Sequence, residues 1–327
     1  MKFSMKLLTC LIGLFCASWI FAQDIDPDTA IESDESEVIE ATVSPEIETV
    51  SPETEEEPAP AELLETEPAP EDIDPAADEP LEPRTYRIQA HPIFIPEQAE
   101  SVYRPLVDYL NAATPHSFEL QIPRDFHRFW LDIRRGGQPD FVLEDAHLIS
   151  MRINRYGYNP LVRADEPGTF SLLTSGMNID AELSDFIGRP VSSMPAPSLG
   201  YLILASWYDN PMQQPIIQSN ASSWLDAVEI VFSMEAEAAI VPHNLVARYV
   251  NMEVVRTSDP FPHSGIAASP EVPVSVQRDV VAALTVLHED GEHFGALHEL
   301  DIEQFVPATV EEFEGLDRWL DQVFTFF

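Results

Sequence analysis

The chain has 327 residues, 45% of them hydrophobic and 23% charged, and a formal net charge of −40. That is enough apolar material for one or two folded domains. The acid excess excludes a non-specific nucleic-acid binder, which needs a basic surface to displace counterions from phosphates, and equally a protein held on anionic lipid by charge.

At the N-terminus, Lys2 and Lys6 precede an apolar run over 7–21, and Ala22 is a small residue suited to cleavage after it. This order predicts a secretory signal peptide over 1–22. The run is shorter than the roughly 20 residues of a spanning helix. An uncleaved signal acting as an anchor is the alternative. Cys10 and Cys16, the two cysteines of the chain, both lie inside this segment. Thr9 and Phe15 before them do not suit a lipoprotein signal. The exported chain then has no disulfide and no thiolate nucleophile or metal site. Export without cysteine points to a bacterial periplasm.

Residues 23–83 carry 23 acidic residues, no basic residue, no aromatic, and ten of the 29 prolines. Such a stretch cannot bury enough apolar surface to offset its ordering entropy, so a disordered acidic, Pro-rich linker is expected there. An acidic arm that docks on a basic partner is the sharper reading. From residue 84 onward, 34 acids face 15 basic residues, all arginine, for a net −19. Net charge of this size also fits solubility in a saline habitat.

The folded domain is expected over 84–327, as alternating strands and helices. Strands are predicted at 86–90, 118–122, 141–143, 159–163, 170–174, 191–194, 216–218 and 238–241. Helices are predicted through Tyr103, Leu106, Val107 and Leu110; after a cap at Asp125; from the third strand to about Arg155; and around 201–207, 224–232 and 280–287. A last helix over 310–324 opens on Thr309 and Glu312 as a capping box and repeats Phe313, Leu316, Leu320 and Val323 on one face. This order predicts an α/β protein with mostly parallel sheets. In such sheets ligands gather at strand C-termini, between lobes.

Several stretches then resemble one family. Val102-Tyr103-Arg104-Pro105-Leu106-Val107-Asp108-Tyr109-Leu110 is similar to its first helix, and Gly137-Gln138-Pro139-Asp140-Phe141-Val142 to its entry into the third strand. Ile187-Gly188-Arg189-Pro190-Val191 resembles the strand that enters the second lobe. Glu235-Ala236-Glu237-Ala238-Ala239-Ile240-Val241 and Phe305-Val306-Pro307-Ala308-Thr309 resemble two later signatures. Their order over the whole domain resembles the periplasmic phosphate/phosphite/phosphonate-binding proteins of ABC transporters. The resemblance implies a two-lobed type II periplasmic-binding fold. Lobe one would comprise 84–163 and 262–327, lobe two 164–261, with hinge crossovers at 163–167 and 259–263. It also implies a monomer that binds a small-molecule solute in the cleft and closes before an ABC permease, with no nucleic-acid partner.

The site departs from the pattern. Family members that bind phosphonates hold the anion with a Ser-Thr-Ser-Gly turn at a helix N-terminus, where hydroxyls and free N–H groups face it. Here the turn reads Pro197-Ser198-Leu199-Gly200, followed by Tyr201, and the later Gly-Ser-His becomes Ser222-Ser223-Trp224. In lobe one the loop after the third strand reads Leu143-Glu144-Asp145-Ala146-His147, and two carboxylates there would repel an anion unless protonated or paired. A cationic, zwitterionic or largely apolar ligand, or none, also fits. The candidate ligand-binding residues are Phe94, Phe126, Glu144, Asp145, His147, Ser198, Gly200, Tyr201, Ser223, His243 and His263. Each has a structural alternative: helix caps for Glu144, Asp145 and Ser198, a helix surface for His147, core packing for Tyr201.

Enzyme motifs are weak. His288-Glu289-Asp290-Gly291-Glu292-His293 resembles a zinc-protease helix only superficially, because its histidines are five apart and do not share a helical face. No nucleophile elbow or phosphate loop is found. The expectation is a binding protein with no catalytic residue, metal or cofactor. A sensor or interaction module on the same fold, with a degenerate ligand site, is the competing reading.

Overall fold

The computed structural model describes residues 84–178 and 180–321. The signal peptide and the linker fall outside them. Among the described residues, no helix is long and apolar enough to cross a membrane.

Strand β1 (Thr85–Ala90) places Tyr86 and Ile88 inside. Helix α1 (Pro96–Ala113) opens with proline at its first position, where the fixed φ suits a helix and the missing N–H has no partner to lose. It buries Ala99, Val102, Tyr103, Leu106, Val107 and Leu110, the three-and-four spacing of one apolar face. After β2 (Ser117–Gln121), helix α2 (Phe126–Arg134) starts at Asp125, whose carboxylate accepts the Arg128 N–H at 2.7 Å. Strand β3 (Phe141–Glu144) is buried throughout, α3 (Ala146–Tyr156) ends at Gly157 with φ +69°, and β4 (Asn159–Ala164) closes this half.

A second sheet follows, with β5 (Phe170–Ser175), β6 (Pro190–Ser192), α4 (Leu199–Ser206), β7 (Ile216–Gln218), α5 (Trp224–Phe232), β8 (Ala238–Pro242) and β9 (Met252–Thr257). The chain then returns through β10 (Gly265–Ala268), α6 (Val274–Leu284), α7 (Gly295–Leu300), β11 (Phe305–Pro307) and α8 (Arg318–Asp321). The first sheet has the order β11-β4-β10-β3-β1-β2, the second β7-β6-β8-β5-β9. Two connections cross between them, β4 to β5 and β9 to β10. They are tied to each other where Gly168 and Phe261 exchange backbone hydrogen bonds of 2.8 and 3.1 Å.

The two-lobed α/β architecture is as expected, but the sheets are mixed. Of the nine strand pairings, four are parallel and five antiparallel. The crossovers are the reason. Strand β4 leaves lobe one and β10 re-enters it, so they run in opposite directions and pair directly; β5 and β9 do the same in lobe two. The long terminal helix is also corrected. A 3₁₀ turn over Glu311–Phe313 and the short α8 stand in its place, separated by Gly315 at φ +76°. Glu312 still accepts the Thr309 N–H at 2.8 Å.

Candidate functional site

The C-terminal ends of β1 and β3 meet at one edge of lobe one. His91 follows β1, and its N–H donates to the Leu143 carbonyl at 3.0 Å. Asp145 is the N-cap residue of α3, without a side-chain capping bond, and His147 lies in the first turn. His263 arrives at the same edge because β10 runs antiparallel to β3, pairing Gly265 with Glu144. The Nδ1 of His91 lies 3.6 Å from Oδ1 of Asp145, too long for a hydrogen bond. The Tyr103 hydroxyl donates to the His91 carbonyl at 3.0 Å.

Burial sets the charges here. It pushes His91 down to about 4, against the pull of the Glu144 carboxylate. It pushes His147 down to about 4 as well, opposed by Asp145 and by the bond to Pro197. His263 is lowered for the same reason. The Asp145 carboxyl is raised by burial, with His147 and His263 holding it back; no arginine is among the groups acting on it.

Lobe two contributes the end of β6 and the turn into α4. The His147 ring is fully buried, and its Nε2 lies 2.9 Å from the Pro197 carbonyl of the opposite lobe. A carbonyl only accepts, so the ring donates from Nε2–H, and Nδ1 is left as a bare acceptor. The Ser198 hydroxyl donates to the Met194 carbonyl at 3.2 Å, and Pro197 has no N–H to offer. Gly200 serves packing: a Cβ there would lie 2.8 Å from the Trp224 ring and 3.0 Å from Phe170. Three buried polar atoms at the ends of these strands have no hydrogen-bond partner: His91 Nδ1, His147 Nδ1 and Ser192 Oγ.

The structure divides the candidates named from sequence. It brings Asp145, His147 and His263 together, with Ser198 across the lobe boundary. Glu144 is not on a loop. It ends β3, is fully buried, and holds Arg152 with two bonds of 2.6 Å. Removing either partner would strand a buried charge, the costly case for an ion pair. His147 is an interlobe contact rather than a helix-surface residue. Phe94 is half-buried against the lobe-one core, with its ring 5.7 Å from that of Tyr103. Phe126 and Tyr201 belong to the lobe-two cluster. Ser223 caps α5, accepting the Asp226 N–H at 3.1 Å. His243 is exposed and bonded to the Ser171 hydroxyl at 2.7 Å. His91 and Ser192 were missed, though both stand at strand ends, where the sequence already placed ligands.

Part of the lobe boundary is filled with protein. Phe126, Phe129, Trp130, Ile133, Leu148 and Met151, all from lobe one, are continuous with the lobe-two core, as is Leu320 of α8. Trp319 packs edge-on to Phe261 at 5.6 Å. On the other side Asn244 donates to Asp301. Among the described residues no three His, Cys, Asp or Glu side chains are grouped to hold a metal ion.

Two mixed sheets joined by a paired double crossover, with buried polar groups where the strand ends face each other, define a two-lobed periplasmic-binding architecture. The chain belongs to the family described as "ABC transporter, phosphonate, periplasmic substrate-binding protein", whose model matches residues 88–313. Among solved structures it is similar to PhnD1 from Prochlorococcus marinus in complex with methylphosphonate (TM-score 0.63, 10% identity, 74% of this chain and 99% of that one). It is also similar to XAC2383 from Xanthomonas citri bound to ATP (TM-score 0.58, 15% identity, 73% and 98%). A third is a binding-protein component of an ABC phosphonate transporter from Pseudomonas aeruginosa (TM-score 0.58, 10% identity, 74% and 85%). At these identities the structures establish the fold. No curated protein matches the chain.

Proposed function

We propose that this chain is the solute-binding component of an ABC importer, exported by residues 1–22 and tethered by the acidic segment 23–83. It takes a small molecule between its lobes and presents the closed form to a permease. Its family binds solutes in the periplasm and is not a family of enzymes. The observation that carries the reading is the cluster of His91, Asp145, His147 and His263 at one edge of lobe one, bonded across to Pro197, with the buried Nδ1 atoms of His91 and His147 lacking protein partners. Buried polar groups are normally satisfied, and orphans at one place mark where a ligand or water completes the bonding. Thermal unfolding of the purified chain against phosphate, phosphite, methylphosphonate, amino acids and amines tests this. A ligand that binds the native state alone raises the midpoint in a concentration-dependent way. No shift with any of them overturns the reading.

A second reading is favoured by one observation. The lobe boundary is closed in part by protein side chains, with His147 bonded directly to Pro197. A domain locked this way would act as an interaction module and would show no solute-dependent shift.

A further inference from the structure

The turn into α4 has lost two of the groups that would hold an anion. Pro197 supplies a carbonyl instead of an N–H and points it at His147. The Ser198 hydroxyl proton is used on Met194. The nearest buried arginine, Arg152, is held by Glu144 at both ends. The chain has no lysine beyond residue 6. Meanwhile the groups left open include acceptors, beside the Ser192 hydroxyl, which can donate or accept. His147 presents a bare Nδ1 because its Nε2–H is committed to Pro197. His91, 3% exposed, aims an unpartnered Nδ1 at the Asp145 carboxylate from 3.6 Å.

We propose that the lobe boundary takes a small solute bearing a protonated amine, whose N–H groups reach Asp145 and the Nδ1 atoms of His91 and His147. This rests on the solute-binding reading above and names its ligand class. An ammonium has three donors and no acceptor, which matches a carboxylate beside the His147 Nδ1 lone pair, and beside that of His91 when the His91 proton sits on Nε2. Charge-assisted bonds of this kind are the strong ones. With both rings neutral around pH 7, because burial holds them near 4, nothing in the cluster offsets the carboxylate for an incoming anion. A dianionic phosphonate would be repelled by the Asp145 carboxylate and would find no arginine or lysine acting there.

The test is calorimetric titration and thermal unfolding of the purified chain at pH 7.5 with putrescine, ethanolamine and methylphosphonate, each against sodium chloride at equal ionic strength. The expected result is a midpoint rise with an amine beyond the salt control, and none with methylphosphonate. Asp145→Asn should weaken amine binding by roughly 10- to 100-fold. Should that variant fail to fold, His91→Asn is the second test, with an expected loss of about tenfold. A shift with methylphosphonate alone overturns the amine proposal and leaves the solute-binding reading standing. An amine shift unchanged in Asp145→Asn and His91→Asn overturns it too, because the amine is then bound by the acidic surface. No shift with any probe overturns both, and the orphan atoms are then satisfied by ordered water only.

Discussion

His91 and His147 show how burial alone decides the state of a side chain. Free histidine titrates at about 6.5, and both are held near 4 in the fold. Below the free value the unfolded chain takes up protons that the folded chain refuses. Stability from these rings is therefore complete above about pH 6.5 and is lost as the pH falls through about 4. Asp145 works the other way: raised by burial, it gains a proton more readily in the fold. Comparing the chain with a His91→Asn/His147→Asn double variant by urea unfolding isolates the histidine part. The stability of the parent relative to the variant should fall between pH 6.5 and 4, by at most roughly 3 kcal/mol for each ring. Parallel pH profiles would show that the rings are not buried neutral. None of this was legible in the sequence, which gave no signal at His91 and offered Glu144 as a cleft acid. The Glu144–Arg152 pair joins the end of a strand to the second turn of a helix, so only the fold reveals that the carboxylate is already taken.

At the scale of elements, local signals read well and non-local ones poorly. Asp125 acts as the expected helix cap because the bonding is within three residues; Ser223 caps α5 by the same spacing, although the sequence offered it as a ligand residue. The terminal helix failed for an equally local reason. Phe313, Leu316 and Leu320 kept a helical period, but Gly315 adopts a left-handed conformation between them and breaks the segment into short turns. Strand β9 has mostly exposed or half-exposed residues, and β10 is only the four buried residues Gly265, Ile266, Ala267 and Ala268; neither carries a hydrophobic alternation. Both exist because neighbouring strands supply their hydrogen bonds. Helix α4 illustrates packing over motif. Gly200 stands in the stretch that suggested an anion turn, yet its role is to let α4 lie on Trp224 and Phe170. Gly200→Ala should destabilise the protein by about 1–3 kcal/mol through overpacking, measured by urea unfolding. A neutral result would mean that the Trp224 ring is free to move aside.

The whole molecule joins an acidic surface to a partly filled lobe boundary. The segment from residue 84 carries a net −19, and repulsion among exposed carboxylates opposes the compact state until salt screens it. The unfolding midpoint should therefore rise by a few degrees between about 20 mM and 500 mM sodium chloride, where the Debye length falls well below 10 Å. A flat or falling midpoint would show that the charges are spaced too widely to matter. The family and the two-lobed plan were legible because motif order survives over the whole domain. The filling of the boundary was not, since Phe126, Phe129 and Trp130 read as an ordinary amphipathic face whichever lobe they fill.

Strand order in the first sheet has a consequence for how the chain is made. Strand β10 sits between β4 and β3, yet it is synthesised about a hundred residues after β4. Until it emerges, β4 has no link to β3, β11 is not yet made, and lobe one has an open sheet edge. The strands of lobe two are contiguous from Phe170 to Thr257 and can assemble first. Emergence from the N-terminus thus completes lobe two before lobe one. The last roughly 70 residues, which carry β10 and β11, set the time at which lobe one becomes resistant to proteolysis.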